Sequence, residues 1–284
     1  MKSFLKLEPF ANGYQAVNLS PNAALSNAEA QLRTPDGAYT TFRTYDKYFV
    51  LNLRQHFDRI EETAALTGKS VRLNRAALQS EICAALEETA SPEARIRLSL
   101  DLSVNLGEIY LSVEPFAPRP ANLYQSGVET ATVCMSRTNP RAKLSRFLGQ
   151  ADAVRRSEKK NVEEYLMISD DREILEGLSS NFYAILRGEL FTADEGVLAG
   201  TTRKFILDLA AAGNVPVRLR PISVFELNRV DEAFLSSTSR SILPVRKIDR
   251  WTIGNGAVGP ITAKLMKAFD AEIRKNLSDL RIAE

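Results

Sequence analysis

The first third of the chain alternates between the hydrophobic spacing of strands and that of helices. Thr, Phe, Tyr, Val and Leu dominate residues 40–53, which predicts two strands joined by a turn at Asp46-Lys47. Residues 55–67 and residues 75–90 instead repeat their apolar side chains every three or four positions, so these side chains share one face of a helix. The pattern therefore predicts a pair of strands followed by two amphipathic helices.

Strict alternation of apolar and polar residues then predicts a hairpin. Apolar residues occupy every second position in 96–101 and again in 109–113, and Asn105-Leu106-Gly107 lies between the two runs. Such runs around a short Gly-containing segment are typical of an antiparallel pair of strands. Prolines then crowd residues 114–120, which makes this stretch the best candidate for a linker.

Beyond the prolines the pattern is rich in strands. It predicts helices at about 144–158, 200–212 and 260–276, and strands at about 128–136, 164–169, 181–186, 216–222, 233–238 and 242–248. We therefore expect a two-domain chain of the α+β or α/β class. A small N-terminal α/β domain would cover residues 1–117, a linker 118–123, and a larger β-rich domain 124–284.

Composition and charge narrow the kinds of partner. Hydrophobic residues make up 44% of the chain and charged residues 25%, which is ordinary for a globular protein. The formal net charge is +2, so the charge favours neither nucleic acid nor an anionic membrane as a partner. No apolar run approaches the roughly 20 residues that span a bilayer. The first residues do not resemble a secretory signal. Cys83 and Cys134 are too few for a disulfide framework, so we expect two buried thiols in a reducing cytoplasm.

The residue types exclude several chemistries. His56 is the single histidine, so a multi-histidine metal site is impossible, and Cys-x-x-Cys is absent. The chain also lacks Gly-x-Ser-x-Gly, Gly-x-Gly-x-x-Gly and the phosphate-binding Gly-x-x-x-x-Gly-Lys-Ser/Thr motif. An active site in this chain would therefore depend on lysine, carboxylate and hydroxyl groups, with no metal.

Two hydroxyl-rich segments are candidates for anion binding. Gly200-Thr201-Thr202-Arg203 directly precedes an apolar helical pattern, and free N–H groups at a helix N-terminus together with two hydroxyls suit a phosphate. A simple helix cap would use the same residues. Residues 236–239 form a second hydroxyl cluster at the end of a predicted strand and indicate a polar turn.

Three charged residues have both a functional and an ordinary interpretation. Lys143 opens a helical pattern, where a lysine is usually a solvated surface residue, although a cation there opposes the helix dipole. Glu176 lies between an apolar pair and a glycine, which fits either a partly buried carboxylate or a solvated turn. Arg59 could clamp a phosphate or pair with Asp58 or Glu62 at the surface.

The order of these segments along the chain is more specific than any one of them. The motifs are residues 56–60 (HFDRI), 143–149 (KLSRFLG), 175–182 (LEGLSSNF), 198–203 (LAGTTR), 231–238 (DEAFLSST) and 242–245 (ILPV). In this order they resemble the class IV aminotransferases, which are pyridoxal-phosphate enzymes of fold type IV. The family includes branched-chain, D-amino acid and (R)-selective amine aminotransferases and aminodeoxychorismate lyase. The resemblance runs from about Tyr39 to Phe269.

The resemblance implies a role for each matching residue. Lys143 would hold pyridoxal 5′-phosphate covalently and move a proton during catalysis. Glu176 would pair with the ring nitrogen, and Arg59 would grip the phosphate. Further phosphate contacts would come from Thr201, Thr202, Ser237 and Thr238, and Ser239 would face the substrate.

The residues that choose the substrate depart from the family pattern. Tyr39 and Arg43 match the aromatic residue and the arginine of branched-chain enzymes, and Arg97 is a candidate for binding the substrate carboxylate. Asp101 stands where D-amino acid enzymes usually carry an arginine, and Leu148 where a tyrosine often follows the lysine. Substrate class therefore stays open within the family.

The resulting hypothesis is a cytoplasmic, homodimeric aminotransferase. It would move an amino group between an amino acid, with branched-chain type favoured, and a 2-oxo acid such as 2-oxoglutarate, in a ping-pong cycle. The alternatives within the family are a D-amino acid or (R)-amine aminotransferase and an aminodeoxychorismate lyase. The alternative from another class is a homologue that binds a ligand without catalysis.

Overall fold

A computed structural model describes residues 3–20, 29–30, 33–158 and 161–282. The helices in these residues are α1 (Leu53–Leu66), α2 (Arg75–Glu87), α3 (Ala121–Ser126), α4 (Arg146–Glu158), α5 (Thr201–Ala212) and α6 (Pro260–Ile273), with 3-10 turns at Val224–Arg229 and Arg274–Asn276. The strands are β1 (Ser3–Phe10), β2 (Gly13–Asn18), β3 (Gly37–Tyr45), β4 (Phe49–Leu51), β5 (Ala94–Asp101), β6 (Ile109–Pro115), β7 (Val128–Cys134), β8 (Glu164–Ile168), β9 (Glu173–Gly177), β10 (Asn181–Leu186), β11 (Glu189–Phe191), β12 (Val217–Arg218), β13 (Ile222–Ser223), β14 (Glu232–Ser237), β15 (Ser241–Ile248), β16 (Trp251–Thr252) and β17 (Leu277–Asp279).

The helices and strands expected from the hydrophobic pattern are present, but one expected strand is divided into two. The strand expected at 216–222 is split into the short strands β12 and β13. Pro221 lies between them, and proline has no N–H to donate to a neighbouring strand. The pattern did not predict β1, β2, β9, β11, β16 or β17.

The chain divides into two compact units, the first of which contains residues 1–117, 142–148 and 275–284. Its sheet has the strand order β17-β4-β3-β5-β6-β1-β2, and each neighbouring pair is antiparallel. Helices α1 and α2 bury Phe57, Ile60 and Ile82 against apolar side chains of these strands. Full burial of one such side chain stabilises a fold by roughly 1.5–3 kcal/mol.

The two units are not consecutive halves of the chain, because the first unit is built from three separate segments. Residues 142–148 and 275–284 belong to the first unit, whereas the pattern put them in the second domain. The first of these segments pairs with β3 at Ala38–Leu144, and β17 pairs with β4. Local periodicity carries no information on such long-range pairings. Within the segment expected as a linker, α3 begins at Ala121.

The second unit contains residues 118–141 and 149–274. Its sheet has the order β12-β11-β10-β14-β15-β7-β8-β9-β13, with β16 paired to β15. An additional pairing of β9 with β10 at Glu176–Asn181 closes six of these strands into a ring. Parallel pairs occur at β7–β8, β7–β15 and β11–β12, and the other pairs of this sheet are antiparallel.

Two further expectations concern membranes and thiols. Among the described residues, no helix has both the length and the apolar character needed to cross a membrane. Cys83 is half-buried, but Cys134 is exposed. The expectation of two buried thiols is therefore wrong for Cys134, which is the last residue of β7.

Candidate active site

Lys143 lies in an extended segment beside β3. Helix α4 begins only at Arg146, so the expectation that Lys143 opens the helix is wrong. The Tyr39 N–H donates to the Lys143 carbonyl at 2.9 Å, and the Ser145 N–H donates to the Gly37 carbonyl at 2.9 Å. The Lys143 backbone is therefore fixed by hydrogen bonds to the first residues of β3.

Gly37 and Thr63 also help to determine the position of Lys143. A Cβ atom on Gly37 would lie 1.8 Å from the Leu100 carbonyl oxygen, so only glycine allows β3 and β5 to approach as they do. The Lys143 N–H also donates to the Thr63 hydroxyl on α1 at 3.2 Å, and Thr63 is buried. Lys143 is thus held between β3 and α1.

Tyr39 lies close to two cations of the first unit. Its ring centroid is 5.1 Å from Lys143 Nζ and 5.8 Å from Arg97 Cζ. Cations near an aromatic ring are attracted to its negative face within about 6 Å. The ring is buried, with 6% of its surface exposed, so Tyr39 keeps both cations at a defined spacing.

Arg97 also lines a small depression within the first unit. Hydroxyl groups dominate its polar lining, and the lining residues are Phe4, Ala30, Thr34, Arg97, Ser99, Tyr110, Ser112, Ser145 and Leu148. Leu148, which the resemblance places at a substrate-choosing position, is among them. A cation surrounded by hydroxyl groups suits a carboxylate.

Arg43 lies in a different environment from Arg97. Its guanidinium lies 4.1 Å from the Tyr45 ring centroid and 4.3 Å from that of Phe116. Arg43 Nη2 is 3.3 Å from the Glu93 carboxylate. These contacts hold the Arg43 side chain near the end of β3 remote from Lys143.

Arg59 and His56 share one face of α1, three residues apart. His56 is buried and its Nδ1 lies 2.7 Å from the Thr40 hydroxyl. Burial, and after it the positive charges of Lys143 and Arg59, lower the pKa of His56 to about 3. The first unit therefore gathers Lys143 and Arg59 around a neutral imidazole. Asp58, one expected surface partner of Arg59, lies 2.6 Å from Arg75.

Glu176 is a buried carboxylate of the second unit. It lies in β9 with 2% of its surface exposed, which excludes the solvated turn considered from the sequence. Arg137 Nε donates to Glu176 Oε1 at 2.6 Å. Asn181 Nδ2 at 3.1 Å and the Leu198 N–H at 3.2 Å donate to Oε2. Arg137 balances a charge that would otherwise be costly to bury.

Sequence reasoning missed Arg137 and Asn181. Arg137 lies just beyond β7, and its side chain has 6% of its surface exposed, an unusual burial for arginine. Nothing in the local pattern marks it as a partner of Glu176. Asn181 belongs to the segment 175–182, and the resemblance of this segment to the family implies no role for the asparagine.

Asn181 also contacts the start of α5. Gly200 precedes this helix and provides no side-chain cap. A Cβ atom on Gly200 would lie 2.4 Å from Asn181 Oδ1, so glycine leaves space for the amide. Thr201 and Thr202 form the first turn, where backbone N–H groups have no partner within the helix. The phosphate cradle expected there lies next to the residue that contacts Glu176.

The hydroxyl cluster forms the turn between β14 and β15, as expected. Ser237 is the last residue of β14, and Thr238 and Ser239 follow it in the turn. Within the sheet, Asn181 pairs with Glu176 on one side and with Ser236 on the other. Three adjacent strands, β9, β10 and β14, therefore carry Glu176, Asn181 and the residues that precede the turn.

Known proteins resemble this chain over most of its length. The family model of the amino-transferase class IV matches residues 37–248. A Methanocaldococcus jannaschii protein, provisionally named a branched-chain-amino-acid aminotransferase, is 27% identical over 250 residues, which cover 82% of this chain and 86% of the relative. The D-alanine aminotransferase of Listeria monocytogenes is 27% identical over 278 residues, which cover 88% and 91%.

A solved structure establishes the fold. The branched-chain aminotransferase of Thermoproteus uzoniensis superimposes with a TM-score of 0.77 at 21% identity, over 98% of this chain and 99% of that one. The two-domain α+β architecture of fold type IV, expected from the sequence, is confirmed. The family model spans most of the chain, and the curated relatives are named as aminotransferases. The chain therefore belongs to the class IV aminotransferases and is a transaminase of that pyridoxal-phosphate-dependent family.

Proposed function

We propose that this chain binds pyridoxal 5′-phosphate and transfers an amino group from an amino acid to a 2-oxo acid in a ping-pong cycle. The observation that carries the proposal is the arrangement around Asn181. This side chain contacts both a buried carboxylate, Glu176, and the N-terminus of α5. A carboxylate suits a protonated ring nitrogen, and a helix N-terminus suits a phosphate.

The second unit fits the charged parts of the cofactor. Glu176 would pair with the ring nitrogen, with Arg137 and Asn181 fixing the carboxylate. Thr201 and Thr202 would bind the phosphate through backbone N–H groups and hydroxyls. Ser237 and Thr238, in the turn after β14, would add hydroxyl contacts.

The first unit would supply the lysine and additional cations. Lys143 would bind the cofactor covalently, and the hydrogen bonds of its backbone to β3 and α1 support this role because they fix its position. Arg59 would bind the phosphate through its planar guanidinium. His56 stays neutral beside both residues and adds no third positive charge.

Proton transfer would be the task of Lys143 Nζ. When bound, pyridoxal phosphate would supply a carbonyl carbon for the amino group and a ring that accepts electron density from the substrate Cα. Lys143 Nζ would take the Cα proton and return it. Tyr39, 5.1 Å from Nζ, would limit where that amine can move. Glu176 would favour the protonated ring nitrogen because an opposite charge raises its pKa.

For the substrate we propose a branched-chain-type amino acid with 2-oxoglutarate as acceptor. Arg97 would bind the carboxylate, with Tyr39 and Ser239 lining the substrate. Asp101 supports this choice over a D-amino acid because it is engaged in a turn and offers no cation. Burial acts to raise the pKa of Asp101, but hydrogen bonds from the N–H groups of Val104, Asn105 and Ser103 outweigh it and lower the pKa.

A D-amino acid aminotransferase is the second candidate. The Listeria D-alanine aminotransferase is as similar in sequence as the branched-chain relative from Methanocaldococcus, at 27% identity in both comparisons. Arg43 is the arginine that matches branched-chain enzymes, and its contacts with Tyr45, Phe116 and Glu93 give it a role in the fold of β3. The choice between the two candidates therefore depends on an assay of both enantiomers.

The first experiment tests the lysine. The protein is incubated with pyridoxal phosphate, reduced with borohydride and mapped by peptide mass. We expect the reduced adduct on Lys143, its loss in Lys143→Ala together with activity, and full retention in Lys69→Ala, which changes an exposed lysine. An adduct confined to another lysine refutes the role of Lys143.

The second experiment tests the substrate. Both enantiomers of branched-chain amino acids and of alanine, and an (R)-amine, are assayed with 2-oxoglutarate and with pyruvate as acceptors. Preference for L-leucine or L-isoleucine supports the proposal, and preference for a D-amino acid supports the second candidate. Release of pyruvate from aminodeoxychorismate without an acceptor indicates a lyase, and cofactor binding without turnover indicates a non-catalytic homologue.

We also propose that the protein acts as a homodimer in the cytoplasm. Cys83 and Cys134 are both free thiols, which suits a reducing compartment. Sedimentation of the purified chain at several concentrations measures the oligomeric state. A monomer that is fully active refutes the dimer as the working unit.

A further inference from the structure

Arg240 is a buried arginine in the turn between β14 and β15. It has 8% of its surface exposed. Its Nη1 donates to Glu164 Oε2 at 3.1 Å and to the Ser179 hydroxyl at 3.1 Å, and its Nε donates to Glu163 Oε1 at 3.0 Å. The guanidinium therefore joins the turn that it belongs to with β8 and with the turn that follows β9.

Glu164 is the centre of these contacts. Its side chain is fully buried, with 0% exposed. Besides Arg240, its Oε2 accepts from the Ser179 hydroxyl at 2.6 Å, the Ser179 N–H at 3.2 Å and the Ser180 hydroxyl at 3.3 Å. Arg155 lies further away, at 3.7 Å from Oε1. A buried carboxylate is tolerated only when it is paired, so Arg240 and Glu164 fix each other.

The backbone of Arg240 is held as well. The Tyr124 hydroxyl donates to the Arg240 carbonyl at 3.0 Å. The Arg240 N–H donates to the Ser237 carbonyl at 3.2 Å, which closes the turn, and Ser241 has a positive φ of 53°. Thr238 and Ser239 alone lie between the end of β14 and this fixed arginine, and β15 begins at the next residue, Ser241.

The same carboxylate reaches the segment that follows Glu176. A Cβ atom on Gly177 would lie 2.3 Å from the Ser180 hydroxyl and 2.8 Å from Glu164 Cγ, so the chain passes close to Glu164 directly after the candidate ring-nitrogen partner. One buried ion pair thus fixes two turns, residues 178–180 and 238–240. Both turns are adjacent to residues proposed to bind the cofactor.

We propose that Arg240 is a positioning residue, which holds the turn through its ion pair with Glu164 so that the hydroxyl and N–H groups of Thr238 can bind the cofactor phosphate. This inference rests on the proposed function. Arg240 itself touches neither cofactor nor substrate in this scheme. Thr238 lies in the same turn as Arg240, so the loss of Arg240 should weaken the phosphate part of cofactor binding more than the ring part.

The test compares two ligands that differ only in the phosphate. Apoprotein is titrated with pyridoxal phosphate and with pyridoxal, for the wild type, Arg240→Gln, Arg240→Lys and the double variant Arg240→Gln/Glu164→Gln. The double variant removes both charges, so it leaves no unpaired buried carboxylate and keeps a measurable fold if Arg240→Gln alone unfolds. Arg246→Gln is the matched control, because Arg246 lies on β15 in an exposed pair with Glu129.

We expect Arg240→Gln and the double variant to bind pyridoxal phosphate about tenfold more weakly, while affinity for pyridoxal changes by less than about twofold. Arg240→Lys restores part of the loss because it keeps the charge beside Glu164. Arg246→Gln matches the wild type.

Equal weakening for both ligands would show a general structural role and would overturn the proposal, as would unchanged affinity for pyridoxal phosphate in both Gln variants. Failure of the proposed function is a different result. In that case the wild type itself forms no borohydride-reducible adduct, whereas failure of this inference leaves the wild-type adduct intact.

Discussion

The buried imidazole of His56 makes a quantitative prediction about acid stability. Its pKa is about 3 in the folded protein and about 6.5 in an unfolded chain. A lowered pKa in the folded state means that folding favours the neutral imidazole. The corresponding stability is present above pH 6.5 and is lost as the pH falls from 6.5 towards 3.

The magnitude follows from the two pKa values. At pH 5 the unfolded imidazole is protonated and the folded one is not, and the interval of about 1.5 pH units below 6.5 corresponds to about 2 kcal/mol of the free energy of unfolding. His56→Asn removes the titrating group and retains a polar atom near Nδ1 that can reach the Thr40 hydroxyl. The variant loses a constant amount of stability from poorer packing but does not lose this pH-dependent part.

Urea unfolding of the wild type and of His56→Asn is measured from pH 8 to pH 5. We expect the stability difference between the two proteins to shrink by about 2 kcal/mol over this range. Thr40→Val is the matched control, since it disturbs the same contact but keeps the imidazole, and its difference from the wild type should shrink much less. A His56→Asn difference that stays constant from pH 8 to pH 5 refutes the assignment of a buried neutral imidazole.

Other substitutions test the candidate site and the fold. Glu176→Gln should slow single-turnover proton transfer by about two to four decades, because the charge beside the ring nitrogen is lost, and a rate within about threefold of wild type would exclude the role. Arg59→Ala should weaken pyridoxal phosphate binding by about one to two decades, since a charge-assisted contact is worth about 1.5–3 kcal/mol, and an unchanged dissociation constant contradicts this. Gly200→Ala should weaken the same binding, because the new methyl group would collide with Asn181 Oδ1 at 2.4 Å, and a variant with full affinity would show that the amide moves freely. Glu232→Gln should lower the free energy of unfolding by about 1 kcal/mol, since Glu232 accepts from the first N–H groups of α6 at 3.0 and 2.6 Å, and an unchanged melting temperature would be evidence against this cap.

The single histidine also bears on how activity depends on pH. With a pKa of about 3, His56 does not titrate between pH 5 and 9. An inflection of the pH–rate profile near neutrality must therefore come from another group. His56→Asn should leave the position of such an inflection unchanged.

Much of the fold was readable from local spacing. Helices α1, α2, α5 and α6 and the hairpin of β5 and β6 follow from periodicity, because the burial of one face imposes a repeat of about 3.6 or 2 on the sequence. The strands that were missed are mostly short or at sheet edges. There the pairing partner, and not the alternation within the strand, decides the conformation.

The candidate site was only partly readable. The start of α5 was visible because Gly200-Thr201-Thr202 is a local signal for an open helix N-terminus. The buried state of Glu176 could not be separated from a solvated turn by spacing alone. Its partner Arg137 could not be identified from the sequence, because their 2.6 Å contact joins the segment after β7 to β9, two parts of the chain that are distant in sequence.

The sequence by itself determined the helices and strands with a clear period, the exclusion of histidine-rich and nucleotide-binding motifs, and the order of motifs that indicates the family. Only the tertiary structure decided that Lys143 lies against Tyr39 and not on a helix, that Arg137 balances Glu176, and that Arg240 is paired with Glu164. The physical reason is the range of the interactions. Periodicity reflects neighbours within one element, whereas a buried charge depends on a partner that the folded sheet brings from a distant part of the chain.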